Sequence, residues 1–517
     1  MMLTPLLLIP FLGLVPLLLW PGSPPPGRLR AVTIFVLTLQ LVWSLVVLLA
    51  FDPSEGGMQL QESFAWLPSL GLEYRLGVDG LSLPLLLMNA SLTLVSAVCT
   101  RDISQRPRIY FALLLLISGA VNGAFLAQNL LLFLIFYELE LIPLWLLIAV
   151  WGGAQRAYAA TKFLLFTAVS GMLILGAFLG LALLSGSVDF SLTPVTGERL
   201  AMGSQLLLLG ALLVGFGIKI PLVPFHSWLP DAHTQASTPV SVLLAGVLLK
   251  LGTYGLLRFG LGLFPEAWPV LAPWLAGWAA ASVLYGSLAA IAQRDMKRMV
   301  AYSSVGHMGT ILLAAAAATP VSLLGAVFQM VSHGLISALL FLLVGIVYRK
   351  TGTRDLEVLR GLLNPERGLP YTGSLMILGV MASAGLPGMA GFISEFLVFR
   401  GSITAYPLAT LLCMVGSGLT AVYFLLLVNR AFFGRLAITP PTDPESDARL
   451  DVQPIAVAPR ETIPATALAL SVLGLGLLPA GLGQISEAAT TAMSQLPALL
   501  TAIATAASGG AAPGGLG

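Results

Sequence analysis

The chain has 517 residues, 57% of them hydrophobic and only 9% charged, with a mean hydropathy of +0.94. A soluble domain carries about 25% charged residues, so this size reflects many membrane spans and not several soluble domains. The net charge of +2 gives no basic surface for nucleic acid, and no such partner is expected. Cys99 and Cys413 both lie in apolar runs without a Cys-x-x-Cys or Cys/His cluster, which argues against iron–sulfur, haem c and zinc sites.

The chain opens with MMLTPLLLIPFLGLVPLLLW, which lacks a basic leader and a small-residue cleavage site, so it reads as a retained first helix. A crossing helix needs about 20 apolar residues, and that rule yields about 14 spans in an all-α polytopic fold. They cover approximately 3–20, 31–51, 79–99, 109–127, 129–150, 161–185, 203–225, 237–261, 270–292, 299–317, 321–348, 372–399, 405–432 and 463–483. The Ala/Gly-rich tail, 484–517, is expected to be loose or to lie along the surface. The 34 prolines and 54 glycines suit a membrane bundle, where neighbouring helices satisfy freed backbone groups.

Basic residues concentrate in the odd-numbered loops: Arg28 and Arg30; Arg101, Arg106 and Arg108; Arg156; Arg294, Lys297 and Arg298; Arg349, Lys350, Arg354, Arg360 and Arg367; Arg430 and Arg435. Even loops hold scattered examples such as Arg75, Arg199 and Arg400, and the second loop is acidic. The positive-inside rule then puts the odd loops in the cytoplasm and both termini outside.

The seventh span breaks at Pro221 and Pro224 after Lys219, and the twelfth breaks at Gly385, Pro387 and Gly388 ahead of Glu395. The breaks are five spans apart, so a repeat of that length is inverted in the membrane. Paired interrupted helices point to a transporter's ion site. The expected organisation is N-terminal helices over 1–108, a first five-helix repeat over 109–261, an inverted second repeat over 270–432, and a loop, last helix and tail over 433–517.

Charges inside the spans are costly and mark ion or proton paths. Glu138, in LLFLIFYELELIPLW, is read as deep. Glu140, two residues on, is read as shallower or facing a neighbouring chain. Lys219 and Lys250 sit well inside their spans, where burial makes protonation switchable. A Glu138–Lys219 pair that opens and closes is a proton valve. His307 and His333, in the tenth and eleventh spans, are read as relays, and Glu395 as the terminal proton site of the second half. His226 and His233 are placed near the cytoplasmic mouth with Asp231, as proton-uptake groups or loop braces. Lys162, Arg258 and Arg400 stand near span ends and read as snorkelling anchors, the first two with a supporting role open to them.

Several pieces together resemble the antiporter-like subunits of respiratory complex I and its photosynthetic relatives. They are FYELELIPLW, AATKFLLFTA, KIPLVPFHSWLPDAHTQASTPVSVLLAGVLLK, RDMKRMVAYSSVGHMG, QMVSHGLISALLF and GLPGMAGFISEF, over about 135–400. In that family the glutamate five before the proline matches Glu138, and the lysines of the seventh and eighth helices match Lys219 and Lys250. Glutamate at position 395 resembles the chain 4 type, whose sister chains have lysine there. The resemblance implies a proton-translocating subunit of a type-1 NAD(P)H/ferredoxin–quinone oxidoreductase, an enzyme only as part of that complex.

It implies no cofactor in this chain. Plastoquinone or another quinone and the iron–sulfur clusters belong to partner subunits. The partners are lipids and the other membrane-arm subunits, including other antiporter-like chains. General similarity to cyanobacterial forms implies a thylakoid membrane with lumenal termini and, in the carbon dioxide uptake form, a carbonic-anhydrase-like subunit. A subunit of a multisubunit cation/proton antiporter and an inactive structural scaffold are the alternative readings.

Overall fold

The computed structural model describes residues 1–100, 103–186, 190–192, 200–437 and 457–509. Arg101, Arg199 and the end of the tail lie outside them. The helices are α1 (Thr4–Leu19), α2 (Pro26–Ala50), α3 (Ser82–Cys99), α4 (Pro107–Leu126), α5 (Leu130–Trp151), α6 (Arg156–Ser185), α7 (Met202–Lys219), α8 (Trp228–Gln235), α9 (Thr238–Leu261), α10 (Trp268–Ile291), α11 (Met296–Ala317), α12 (Pro320–Thr351), α13 (Pro370–Ser383), α14 (Ala390–Ser402), α15 (Pro407–Phe432), α16 (Pro459–Leu477) and α17 (Ala480–Gly509).

Eleven of the described helices are long and apolar enough to cross a membrane, or twelve if α16 and α17, bent by 67°, count as one span. The expected fourteen therefore differ from the structure at three places. The first is a 16-residue helix, the twelfth is the short pair α13 and α14, and the last qualifies only with its bent continuation. The Gly-Leu-Pro-Gly sequence between α13 and α14 makes the second difference. Gly385 and Gly388 both take positive φ (71° and 89°), and Pro387 has no N–H to give.

Two elements were not expected. The acidic loop forms an antiparallel hairpin, β1 (Gln59–Leu67) with β2 (Leu72–Val78), Phe64 opposite Tyr74. Glu62 fastens it to the start of α1 by accepting from the N–H groups of Leu3 (2.8 Å) and Thr4 (3.1 Å) and from the Thr4 hydroxyl. Second, most of the tail is not loose but helical, as α17. Its backbone lies so close to Gly56 and Gly80 that a Cβ at either would meet the carbonyl of Ala488 or Ile485. Burial of Ser486, Ala489, Thr490 and Met493 explains why a weakly apolar segment stays helical.

Connecting segments sort onto two faces. The hairpin meets the α4–α5 turn through Gln128 N–H to Arg75 O (2.8 Å), and that turn meets the segment after α6 through Leu130 N–H to Phe190 O (2.8 Å). The basic segments meet one another, through Gly153 N–H to Gln235 O (2.8 Å), Met296 N–H to Arg354 O (3.1 Å) and Leu356 N–H to Arg294 O (2.8 Å). The acidic-loop and basic-loop faces are thus opposite ends of the bundle.

Candidate functional site

Asn129 starts α5 by accepting from the N–H groups of Leu131 and Leu132, both at 3.1 Å. The helix is interrupted at Glu140, between Leu130–Leu139 and Leu141–Trp151. Pro143 has no N–H for the Leu139 carbonyl and its ring crowds it, so the helix loosens there. Glu140 consequently turns inward. It is fully buried and forms the ion pair with Lys219. This corrects two expectations, that Glu138 is the partner of Lys219 and that Glu140 is shallow. Regular helical spacing predicts different faces for the two acids; the interruption decides which one faces in. Glu138 is half-buried, makes no ion pair among the described residues, and lies against Gly171 of α6, where a Cβ would collide with its carboxylate. It remains within electrostatic range of Lys219.

Lys219 ends α7, and its Nζ also sits 4.2 Å from the centre of the Tyr137 ring. The break after it is closed by Leu222 N–H to Gly217 O (2.9 Å), while Trp228 Nε1 donates to the freed Ile218 carbonyl (2.9 Å). The second break repeats this pattern, with Leu386 N–H bonded to Met381 O five residues back (3.1 Å). Beyond the first break, α8 presents Asp231 to Lys162 (2.8 Å) and Arg298 (3.4 Å). Lys162 is thereby an ion-pair partner and not a snorkelling anchor.

Neither histidine beside Asp231 sits at an open mouth. His226 is buried against Tyr285, ring centres 4.8 Å apart. His233 is fully buried and stacked on Phe341 at 4.3 Å, both ring nitrogens lacking a protein partner. The break turns α8 into the bundle, which a straight seventh span would not do.

α9 contains two π-helical segments, Leu244–Leu248 and Leu256–Leu261, on either side of Lys250. Such segments leave carbonyls in need of donors and recur at functional sites. Lys250 Nζ donates to the Ala245 carbonyl at 2.7 Å and lies 2.7 Å from His333 Nδ1, with no carboxylate partner among the described residues. Gly252 lets the end of α7 approach, since a Cβ there would be 3.2 Å from Lys219 Cβ. The rings of His333 and His307 are 5.4 Å apart. His307 Nε2 lies 3.3 Å from the Ser383 carbonyl at the second break and 3.9 Å from Glu395 Oε1. Glu395 Oε2 accepts from the Ser417 hydroxyl at 2.6 Å. His307, His333 and Glu395 share a cavity of ≈ 10 Å³, about the room one water's centre needs.

The structure therefore brings Lys250, His333, His307 and Glu395 into one buried line, and sets the Glu140–Lys219 pair on α5 and α7, of which α7 approaches α9 at Gly252, with Glu138 beside that pair. Lys162, Asp231 and Arg298 form a separate cluster toward the basic-loop face. Arg258 corrects the snorkelling expectation. It is buried, and one terminal nitrogen donates to both oxygens of Asp79 (2.8 and 2.7 Å) while Nε donates to the Tyr254 hydroxyl (3.2 Å). Asp79 was missed. Its signal is the isolated acid in GVDGLSL, directly before an apolar span. Ser417 has no signal in the sequence. Among the described residues, no three His, Cys, Asp or Glu side chains converge as a metal site.

A sequence model described as "NADH:quinone oxidoreductase/Mrp antiporter, TM" matches residues 127–420, which hold every residue of this line. The chain belongs to that family. A relative named NAD(P)H-quinone oxidoreductase chain 4 1, from Synechococcus sp. (strain JA-3-3Ab), is 42% identical over 86% of this chain and 84% of its own length. The fold matches a chain of respiratory complex I from Thermus thermophilus with TM-score 0.84 and 29% identity, over 96% of this chain and all of that one. It also matches a chain of the Mrp complex from Dietzia sp. DQ12-45-1b, with TM-score 0.82 at 22% identity, over 97% of this chain and 99% of that one, a likeness of fold alone. This family chain is an integral membrane protein, and Glu140, Lys219, Lys250 and Glu395, all buried, lie within the matched region.

Proposed function

We propose that the chain is a proton-translocating membrane-arm subunit of a quinone oxidoreductase of the chain 4 type, with no redox step of its own. The observation that carries this is Lys250. It is fully buried, and its two partners are a carbonyl and a histidine nitrogen, so no counter-ion holds it in the charged form. A buried charge without a carboxylate costs several kcal/mol or more, and a bundle keeps such a group for a purpose.

With the Glu140–Lys219 pair closed, Lys219 keeps its proton. Quinone reduction in a partner subunit draws Glu140 away, the ammonium loses its counter-ion, and the proton passes to neutral Lys250. Lys250 hands it to His333 Nδ1. His333 then releases the proton it holds on Nε2 through the small cavity to His307, and His307 passes one on to Glu395. Each transfer leaves the donor neutral; His333, left with its proton on Nδ1, must exchange it for one on Nε2 before it accepts again from Lys250. The two five-helix units, 109–261 and 270–432, act as inverted halves, each with its own broken helix. Glu138 is the alternative counter-ion for Lys219.

The quinone, plastoquinone in a thylakoid setting, and the iron–sulfur clusters belong to partner subunits, and both termini face the lumen. Lipids surround the chain. A carbonic-anhydrase-like subunit among copurifying partners identifies the carbon dioxide uptake form.

The test is proton uptake by vesicles holding the whole complex. Lys219→Ala is expected to abolish quinone-driven uptake in a complex that still assembles. Wild-type uptake means the chain is a scaffold, and sodium-dependent proton exchange without quinone turnover means it is a cation antiporter.

A further inference from the structure

Six aromatic rings fill one region of the first half: Phe133, Tyr137, Phe178, Phe216, Tyr254 and Phe259. All are fully buried. Phe133 is the hub, with ring centres 4.4 Å from Phe259, 5.2 Å from Tyr137, 6.4 Å from Phe178 and from Tyr254, and 6.5 Å from Phe216. Phe178 and Phe259 close the set at 5.3 Å. The two hydroxyls are satisfied locally, Tyr137 with Ser170 (3.3 Å) and Tyr254 by donating to the Phe125 carbonyl (3.1 Å).

The position of the rings along their helices matters. α5 and α7 both run inward from the acidic-loop face, and Phe133, Tyr137 and Phe216 precede Glu140 and Lys219 on them. α6 and α9 run the other way, and Phe178, Tyr254 and Phe259 lie in the parts of those helices nearer that face. The cluster therefore stands between the two lysines and the acidic-loop face. The second half differs. α14 runs from the break toward the same face, and Glu395 lines a cavity of ≈ 480 Å³ together with Phe396 and Arg400, both of them exposed.

We propose that the six rings are an insulating plug, which denies a proton on Lys219 any direct release to the acidic-loop face and so forces it sideways to Lys250. A water chain needs polar partners along its length, and the packed rings offer only two hydroxyls, both already hydrogen-bonded to protein. Narrow apolar constrictions close conduits by excluding water. This rests on the proton-translocating reading and adds the reason for its lateral direction.

The test uses the whole complex in vesicles, with quinone turnover stopped and a pH gradient imposed. Phe133→Ala/Phe259→Ala is expected to dissipate the gradient several-fold faster than wild type, and adding Lys219→Ala to restore the slow rate. Phe133→Leu/Phe259→Leu, which keeps an apolar filling, is expected to stay slow. An assembled alanine double that dissipates at the wild-type rate overturns the proposal, as does a fast leak that survives Lys219→Ala. If the double does not assemble, Phe178→Ala at the rim of the cluster decides by the same readout. Core packing alone gives no leak that depends on Lys219. If Lys219→Ala pumps like wild type, the parent reading fails; if it does not pump and no variant leaks, only the plug does.

Discussion

Glu138 and Glu140 are chemically identical and two residues apart, yet only Glu140 is paired with Lys219. Glu140→Gln removes the counter-ion of a buried ammonium, a loss of about 3–5 kcal/mol while the lysine stays charged. That variant is expected to lose nearly all proton uptake, and Glu138→Gln to keep a substantial part, measured in vesicles at matched complex content. The reverse ranking would restore Glu138 as the partner. Asp79 and Arg258 pose the same question as a stability problem. Arg258→Leu strands a buried carboxylate and is expected to cost about 3–5 kcal/mol, read as an earlier thermal unfolding of the solubilised complex. Adding Asp79→Asn, which keeps an oxygen for the Ser82 and Leu81 N–H groups, should recover much of that loss. At this scale the sequence showed which residues carry charge inside the membrane. It could not show the pairing, because the inward turn of Glu140 depends on how Pro143 loosens one helix in three dimensions.

Both broken helices were legible from their prolines and glycines. The hairpin was not, because Gln59–Val78 has too little strict alternation to stand out from an acidic loop. Its attachment gives a pH prediction. Burial works against ionisation of Glu62, but the Thr4 hydroxyl and the Leu3 and Thr4 N–H groups outweigh it and hold the carboxyl below its ordinary range. A lowered value means that the attachment is complete above the unfolded pKa of about 4.3. It weakens as pH falls through the lower folded value. Amide protection at Leu3 and Thr4, the exchange rate taken relative to the intrinsic rate at each pH, should therefore fall in acid, and Glu62→Gln should remove that dependence. α17 makes a second element-scale prediction. Gly80→Val forces the hairpin end and the helix apart, so limited proteolysis should cut the C-terminal helix faster in that variant.

Across the whole molecule, the alternation of loops rich and poor in basic residues anticipated the two faces seen in the structure. Loops that share a predicted side hydrogen-bond to one another. The count of spans was less legible, since composition cannot distinguish one long helix from two short ones joined at a break. Nor did it show that a lysine of the first half would meet the histidines and acid of the second, a junction in the proposed proton line that depends on α9 and α12 placing Lys250 and His333 in contact. The lysine at the middle of that line tests the account most directly. Lys250→Met keeps the stem and removes the proton carrier. With quinone reduction driven in vesicles of the assembled complex, the account predicts that proton uptake per electron falls sharply, while unchanged uptake per electron would contradict it.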